Sequence, residues 1–534
     1  MLKYKQLSDE QKRAIQGIKP WYAYAKSKKK SEPYVITGAA GTGKSTILPF
    51  LLDALNIPHD KTIVLATSGT AANHARKQFE KAGVTVKSST IARYIYQAVE
   101  VYNIATSSGV RAYDHQSLIQ HMMRVPLNDD TKQSLKQIRK TNDAKALKTA
   151  IVSLNNELLK INHPQISVSV KFELKDKNHI NNDASLIIVD EAGMVTNKQI
   201  DTLESFGVPL LLLGDTAQLG PIVHDRTKRE DQQNDRINNT HSKYHHELVV
   251  IQRQTLQNPI NALGHAIRTG SDITAAYQNI VTSDGSIFIR DRSNADSTFW
   301  TTLFQFALDR VPTQEFILLA QTNDHVALAN LHSHNELAKR FTRKQQVYEG
   351  EPLTVTFNDP LHKHITNGTQ IVVRHIHHTT PYYIIADIEL DGRVEFNVAI
   401  NTYQIHNTHI NPNLTKRDTY NPTIIEYDKH YETFYDWRGL MDYKRNVISY
   451  RADGVCSDER LNEASLLIFA TYGYALTIHK AQGKEWDIVA LLANQQHQTW
   501  TNDERGNRRL YYTAITRCKQ ALYIVEPSLS NTLS

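Results

Sequence analysis

Short apolar runs that end in glycine or acidic residues recur along the chain and predict buried strands. Residues 34–38 read YVITG, residues 185–191 read SLIIVDE, and residues 210–215 read LLLLGD. Continuous apolar runs of about four to eight residues are typical of strands that are covered on both faces, as in parallel sheets. The pattern therefore predicts an α/β protein whose polar side chains gather where these strands end.

Other segments show the periodicities of amphipathic elements. In one predicted helix, apolar residues recur at every third or fourth position: Leu147, Ile151, Leu154, Leu158 and Ile161. This stripe favours packing inside the protein over a partner-binding face. Residues 167–174 alternate as a strand does. A second alternating set predicts one face of a strand: Val394, Phe396, Val398 and Ile400.

Length and composition indicate a folded, multidomain chain. The 534 residues exceed what one hydrophobic core usually supports, and 22% charged with 40% hydrophobic residues is ordinary globular usage. The net charge of +6 permits contact with a polyanion without requiring it. Residues 225–246 have almost no apolar side chains, which predicts a solvated loop.

Apolar runs, the first residues and the cysteines of the sequence predict its cellular compartment. The longest apolar runs are far shorter than the roughly 20 residues that cross a bilayer, so we expect no membrane contact. The segment MLKYKQLSDEQ at the start lacks the apolar core of a secretory signal, and two cysteines, Cys456 and Cys518, are too few for a disulfide framework. We expect a cytoplasmic protein, in the host cytoplasm if the chain is phage-encoded.

The segment YVITGAAGTGKST at 34–46 contains the spacing G-x-x-x-x-G-K-[ST] of a phosphate-binding loop. Glycines let the loop turn its N–H groups inward around phosphate oxygens. Lys44 is predicted to reach the β- and γ-phosphates of a nucleotide, and Ser45 to ligate Mg²⁺. The loop alone fits a kinase, a GTPase, a transporter ATPase or a motor. The predicted nucleotide contacts in this loop are Gly38, Ala39, Ala40, Gly41, Thr42, Gly43, Lys44, Ser45 and Thr46.

Two further strand ends supply the remaining phosphate chemistry. Asp190 is predicted to hold the Mg²⁺ shell, and Glu191 to orient or deprotonate water, which indicates hydrolysis. The run at 210–222 ends in Asp215 and Gln218, and Gln218 is a candidate γ-phosphate sensor.

The order of these segments resembles that of the superfamily 1 helicases, and within them the group of RecD and the phage Dda helicase. The resemblance covers most of the chain. The matching segments are LSDEQKRAI at 7–15, ATSGTAA at 66–72, SSTIARYI at 88–95, ELVVIQRQTLQNPI at 247–260, LAQTNDHVALAN at 319–330, YALTIHKAQGKEWD at 474–487 and RRLYYTAITR at 508–517. Two segments depart from the family pattern. The segment SSTIARYI has Ala92-Arg93, and the run at 210–222 has Gly220 after Gln218-Leu219.

The resemblance assigns roles to residues in these segments. It implies that Gln11 reads adenine, that Gly483 and Glu485 also contact the nucleotide, and that Arg253 and Arg517 are catalytic arginines from a second core. An arginine offered by a second rigid body can neutralise the charge that develops on the γ-phosphoryl group. The implied single-strand contacts are Thr67, Ser68, Thr90, Asn323, Thr477 and His479.

The resemblance also implies a domain plan of two RecA-like P-loop cores, each with an insertion. We expect the first core at 1–94 and 183–246 with a helix-rich, pin-bearing insertion at 95–182. The second core is expected at 247–340 and 465–534 with a β-rich, SH3-like barrel at 341–464. Tyr102 or Tyr113 could be the strand-separating wedge. The aromatics of 429–445 suit either base stacking or the insertion's own core, and His375, His377 and His378 are predicted as exposed strand residues rather than metal ligands.

The predicted function is an ATP- and Mg²⁺-dependent helicase that moves along single-stranded DNA, expected 5′ to 3′, and unwinds the duplex at a junction. RNA stays open as a substrate, since phosphate contacts do not read the 2′-hydroxyl. We expect a monomeric motor with replication or recombination protein partners. Two alternatives stay open, namely a translocase that remodels nucleoprotein without unwinding, and a nucleic-acid-binding scaffold with a vestigial ATP site.

Overall fold

The structure is a computed structural model. It describes residues 4–28, 31–39, 41–81, 83–106, 109–176, 184–221, 235–250, 258–270, 287–291, 315–356, 365–379, 383–390, 392–402, 405, 468–492 and 504–526. The predictions for Ala40, Arg253 and the aromatic segment 429–445 lie outside these ranges, as do residues 225–234 of the predicted 225–246 loop. The rest of that segment contains a short helix at Asp235–Asn238, in which Ile237 is buried, and the start of a strand at His245. The prediction of a solvated loop is therefore wrong for residues 235–246, because Ile237 packs into the protein and the chain there joins the sheet. None of the helices within the ranges combines the length and apolar character that a bilayer crossing requires.

The elements within these ranges are as follows. The helices are α1 (Asp9–Lys26), α2 (Leu48–Leu55), α3 (Gly69–Lys81), α4 (Ile91–Ile95), α5 (His115–Met122), α6 (Asp129–Thr141), α7 (Ala144–Lys160), α8 (Asn197–Ser205), α9 (Asp235–Asn238), α10 (Pro259–Arg268), α11 (Asn323–Ala338) and α12 (Glu504–Ile515). The strands are β1 (Tyr34–Gly38), β2 (Thr62–Ala66), β3 (Lys87–Thr90), β4 (Tyr96–Thr106), β5 (Gly109–Tyr113), β6 (Ile166–Leu174), β7 (Leu186–Val189), β8 (Leu210–Gly214), β9 (His245–Leu248), β10 (Ile287–Asp291), β11 (Phe316–Ala320), β12 (Pro352–Val355), β13 (Gln370–Thr379), β14 (Tyr383–Leu390), β15 (Arg393–Asn401), β16 (Ile468–Tyr472), β17 (Ala475–Thr477), β18 (Trp486–Leu492) and β19 (Cys518–Glu526).

The first sheet is parallel throughout, in the order β3-β2-β7-β8-β1-β9. Strands β1, β2, β7 and β8 are buried along their whole length, as their continuous apolar runs predict. Helices α1, α2 and α3 cover it, and Trp21 and Phe79 are fully buried in the resulting core. Strand β9 ends at Leu248, so this sheet extends past the predicted boundary at 246.

The second sheet is also parallel, in the order β10-β19-β18-β11-β17. Trp486 of β18 and Ile515 of α12 are buried in its core together with Leu263 of α10. The two parallel α/β sheets confirm the predicted pair of RecA-like cores. Because all strands of a parallel sheet point the same way, their carboxyl ends share one edge.

Strands β12 to β16 form a closed barrel, which confirms the predicted β-rich insertion. Its last strand, β16, lies beyond the predicted boundary at 464. The barrel core is continuous with one side of the second sheet through residues such as Leu318 and Ala490. His375 and His377 are exposed on β13, where they pair with Glu349 and Asp387. No cluster of metal-ligating residues is found in the described part of the chain.

The predicted apolar face of β15 is only half correct. Val398 and Ile400 are buried, but Val394 and Phe396 are 44% and 71% exposed. Asn397 lies between the two pairs with φ of 53°, and the pairing with β14 shifts register there. Such a bulge changes the face on which the following side chains lie. The alternating pattern therefore predicted the wrong face for Val394 and Phe396.

Residues Ile95–Asp176 belong to a compact unit distinct from the one that contains the two parallel sheets. An antiparallel sheet, β5-β4-β6, packs on α5, α6 and α7. The apolar stripe of α7 is buried from Leu147 to Leu158, but the helix ends at Lys160 and Ile161 is 37% exposed. Tyr102 and Tyr113 are both buried in this unit's core. Neither side chain is therefore an exposed wedge.

Candidate nucleotide site and nucleic-acid interface

The phosphate-binding loop connects β1 to α2. Gly41 and Gly43 have φ of 82° and 81°, a region that glycine enters without strain. A Cβ at Gly38 would lie 2.6 Å from the Leu248 carbonyl oxygen, so the strand end requires glycine. Lys44 Nζ donates hydrogen bonds to the carbonyl oxygens of Gly38 at 2.7 Å and Ala39 at 3.0 Å. The loop's own backbone thus holds the lysine that is predicted to bind phosphate.

Gln11 supports this loop from α1. Ser8 caps α1 in a capping box, in which the Ser8 N–H donates to Gln11 Oε1 at 3.0 Å. The other end of the amide, Nε2, donates to the Thr42 carbonyl at 3.1 Å, and Gln11 is buried. The structure therefore links this glutamine to the glycine-rich loop, while its contact with adenine stays a prediction.

Asp190 and Glu191 follow β7 at the same sheet edge as the loop. The Asp190 N–H binds the Leu65 carbonyl on β2, and Asp190 Oδ1 accepts from the Glu191 N–H at 3.0 Å. Glu191 has φ of 50°, a strained value for this residue type. Burial and the neighbouring Glu191 carboxylate raise the pKa of Asp190, and Lys44 opposes the rise. Carboxylate and hydroxyl oxygens are ligands that Mg²⁺ takes, so Asp190 and Ser45 fit a magnesium site.

Asp215 lies at the end of β8, and its side chain is fully buried. Its Oδ2 accepts a hydrogen bond of 2.7 Å from the Tyr512 hydroxyl on α12, and its Oδ1 accepts from the Ala217 N–H at 3.0 Å. Arg268 Nε of α10 lies 3.7 Å from Oδ1. Since α10 and α12 belong to the second sheet's layer, this carboxylate joins the first core to the second.

The segment after Asp215 makes two more links of this kind. The Leu219 N–H donates to Thr513 Oγ1 at 3.1 Å, and Gln482 Nε2 donates to the Leu219 carbonyl at 3.4 Å. Gln218 is buried, and its Nε2 lies 3.5 Å from Asp215 Oδ2. The candidate phosphate sensor therefore sits inside the junction between the two cores.

Arg517 is 4% exposed and is held by its own core. Its Nε donates to the Thr513 carbonyl at 3.1 Å, Nη2 to Thr516 Oγ1 at 3.0 Å and Nη1 to the Lys484 carbonyl at 3.2 Å. These contacts fix the guanidinium beside the loop 479–485. Its approach to a phosphate stays a prediction.

Gly483 and Glu485 belong to that same loop. Gly483 has φ of 75°, and its carbonyl oxygen accepts a short hydrogen bond from His74 of α3. The Glu485 carboxylate is one of the charges that act on the pKa of His74. The structure thus places both residues beside α3 of the first core, and their contact with nucleotide stays a prediction.

The predicted single-strand contacts lie where parallel strands end. Thr67 and Ser68 follow β2, and Thr90 ends β3. In the second sheet, Asn323 begins α11 shortly after β11, and Thr477 ends β17. The carboxyl edges of both sheets therefore carry these residues, which is where α/β sheets bind ligands.

Local hydrogen bonds hold several of these side chains. Ser68 Oγ accepts from the Ala71 N–H at 3.1 Å, and Thr90 Oγ1 accepts from the Arg93 N–H at 3.2 Å. Thr477 Oγ1 accepts from the Lys480 N–H at 3.3 Å. Burial lowers the pKa of His479, which favours its neutral form.

Sequence reasoning missed several residues of the junction between the cores. Arg268 and His74 lie in α10 and α3 after the matching segments 247–260 and 66–72 have ended, so no motif pointed to them. Tyr512 and Thr513 fall within the segment 508–517, but that pattern drew attention only to its final arginine. Their partners lie almost 300 positions away in the chain, which only tertiary structure reveals.

Fold and site together define a P-loop nucleoside triphosphatase with two RecA-like cores that meet at its catalytic edge. The model of the AAA domain family matches residues 6–285, more than half of the chain, and the chain therefore belongs to this family. A second model, that of the UvrD-like helicase C-terminal domain, matches residues 472–525. These matches confirm the resemblance to superfamily 1 DNA helicases, and with it an ATP-dependent enzyme.

Solved structures of Pif1 helicases are distantly similar to the chain. The Bacteroides Pif1 helicase in complex with ADP-AlF3 and single-stranded DNA is 16% identical, with 98% of this chain and 96% of that chain covered and a TM-score of 0.44. The Candida albicans Pif1 helicase is 14% identical, with coverage of 99% and 95% and a TM-score of 0.44. No curated protein matches the chain.

Proposed function

We propose that this protein is a helicase that hydrolyses ATP to move along single-stranded DNA, in the 5′ to 3′ direction, and unwinds duplex DNA at a junction. The observation that carries the proposal is the buried Asp215–Tyr512 hydrogen bond between the two cores, beside the phosphate-binding loop's sheet edge. A change in phosphate occupancy at that edge would alter the packing of one core against the other. Alternating arrangements of two cores can convert hydrolysis into movement.

The chemistry follows from the side chains at the sheet edge. Lys44 would exchange its backbone partners for phosphate oxygens of ATP, and Glu191 would orient the attacking water. Mg²⁺ held by Ser45 and Asp190 would neutralise charge on the phosphates. Arg517 would leave the Lys484 carbonyl to stabilise the γ-phosphoryl group as it departs. Of these residues only Arg517 comes from the second core, so it would contact the γ-phosphoryl group only in the closed arrangement, which couples hydrolysis to closure.

Single-stranded DNA would be held mainly through phosphate and sugar, since the predicted contacts are hydroxyl, amide and imidazole groups at two sheet edges. Such contacts carry no sequence information and are weakened by salt when cations take part. Pif1 structures solved with single-stranded DNA and with forked duplex DNA support the choice of DNA. We further propose a monomeric motor in the cytoplasm that works with replication or recombination proteins.

A strand-displacement assay tests the proposal directly. Duplexes with a 5′ overhang, a 3′ overhang or no overhang are incubated with ATP and Mg²⁺, with Lys44→Ala as the inactive control. We expect unwinding of the 5′-overhang substrate alone, and none with the variant. DNA-stimulated phosphate release without unwinding, together with displacement of a bound protein, would favour the translocase. Absence of any phosphate release would favour the scaffold, and an equal rate on RNA would widen the substrate class.

A further inference from the structure

Helix α3 follows directly on Thr67 and Ser68, the predicted strand contacts after β2. Its His74 is half-buried and reaches the second core, where Nδ1 donates a short hydrogen bond to the Gly483 carbonyl oxygen. The other ring nitrogen, Nε2, pairs with Gln78 Nε2 at 2.8 Å. With Nδ1 as the donor, Nε2 accepts from the Gln78 amide, so the two contacts define one neutral tautomer.

The backbone that His74 binds is the backbone that holds Arg517. Gly483 and Lys484 are adjacent, and the Lys484 carbonyl accepts the hydrogen bond from Arg517 Nη1 at 3.2 Å. Gly483 has φ of 75°, and a Cβ there would lie 3.6 Å from the Ala71 Cβ of α3. The loop therefore packs closely on α3 and turns its two successive carbonyl groups toward His74 and Arg517.

The barrel fixes the same loop from a third direction. Lys484 Nζ donates to the Gly368 carbonyl at 2.6 Å, and a Cβ at Gly69, the first residue of α3, would lie 2.9 Å from Thr366 Oγ1. The barrel thus holds the side chain of Lys484, His74 of α3 holds the Gly483 carbonyl, and Arg517 holds the Lys484 carbonyl. A shift of α3 would be transmitted to the guanidinium through His74.

We propose that His74 is a positioning residue that couples the single-strand contacts at the start of α3 to Arg517 through the Gly483-Lys484 backbone. This inference rests on the proposed function. When DNA binds Thr67 and Ser68, α3 would move with the DNA and, through His74, pull the Gly483 carbonyl. The guanidinium would then be released toward phosphate only when DNA is bound.

The charges around the ring agree with a neutral histidine. Burial lowers the pKa of His74, Glu485 opposes this, and Arg517, Lys77 and Lys81 lower it further. A protonated ring would offer an N–H to Gln78 in place of the acceptor that the tautomer provides. The neutral form therefore keeps both hydrogen bonds near neutral pH.

The test compares His74→Asn with His74→Leu. The two side chains have nearly the same shape, but only asparagine carries a donor at the position of Nδ1. We expect His74→Leu to lower the kcat of DNA-stimulated ATP hydrolysis about tenfold, as loss of one well-placed hydrogen bond predicts. The KM for ATP, the Kd for single-stranded DNA and the DNA-free rate should change less than about twofold, because His74 touches neither ligand. His74→Asn should recover most of the stimulated rate.

Arg76→Ala is the matched control on the same helix, since Arg76 forms an exposed ion pair with Glu80 of α3 itself. It should behave as wild type. A His74→Leu enzyme with the parental stimulated kcat would overturn the inference, as would a His74→Asn enzyme as slow as His74→Leu, since the donor would then have no effect. If wild type shows no stimulation by DNA, the proposed function fails instead, so the two failures are distinguishable.

Discussion

Tyr512→Phe probes the contact that joins the two cores. The change removes one hydroxyl and keeps the ring, which is buried in the second core. It leaves the fully buried Asp215 carboxylate with the Ala217 N–H at 3.0 Å, Gln218 Nε2 at 3.5 Å and Arg268 at 3.7 Å. A hydrogen bond to a charged group contributes about 1.5–3 kcal/mol. Because these partners remain, we expect the free energy of unfolding to fall by about 2 kcal/mol, in the lower part of that range.

This cost can be measured by thermal unfolding without nucleotide. For a domain of roughly 150–250 residues, each kcal/mol shifts Tm by about 2–4 °C, so Tyr512→Phe should lower it by roughly 4–8 °C. A double-mutant cycle with Asp215→Asn should give a coupling free energy of about 1.5–3 kcal/mol. The control is Tyr24→Phe, at a ring that is 43% exposed.

The reasoning is refuted if Tyr512→Phe shifts Tm no more than Tyr24→Phe does, or if the cycle gives a coupling indistinguishable from zero. Either result would mean that water or another donor replaces the hydroxyl at Asp215. The DNA-stimulated ATPase rate of Tyr512→Phe should fall as well, because the hydrogen bond lies in the junction that transmits closure. An unchanged rate in a destabilised enzyme would restrict the contact to a structural role.

Three further predictions concern single residues. Arg517→Ala should bind ATP normally but lose about 10³-fold in DNA-stimulated turnover, and a rate like that of the Lys519→Ala control would contradict the arginine-finger assignment. Because the pKa of Asp190 is raised in the folded protein, this carboxyl stabilises the fold below its unfolded pKa, near 4, and the stabilisation is lost as pH rises through the folded pKa. Tm should therefore fall over this pH range, and either binding of Mg²⁺ with ATP or the change Asp190→Asn should make the fall smaller. Cys518 is partly buried, and desolvation raises its pKa to about 12, so in a Cys456→Ser background a thiol reagent near pH 8 should label it much more slowly in the native protein than after unfolding; equal rates in the two states would contradict the raised pKa.

The phosphate chemistry was readable because its signals are local. The loop around Lys44 and the carboxylates after β7 follow apolar runs, and the end of a buried strand in a parallel sheet is where such residues meet. The class of protein followed from the same motifs in order. By contrast, the faces of β15 could not be read correctly, because Asn397 adopts a left-handed backbone conformation that shifts the register.

The sequence by itself therefore determined which residues end the buried strands, and with them the nucleotide chemistry and the two-core plan. Tertiary structure alone decided which distant side chains share a junction: Tyr512 with Asp215, His74 with Gly483, and Lys484 with the barrel. The reason is physical. Side-chain direction along a strand or helix follows from local period, whereas the contacts between cores depend on how separate sheets pack, which no short segment encodes.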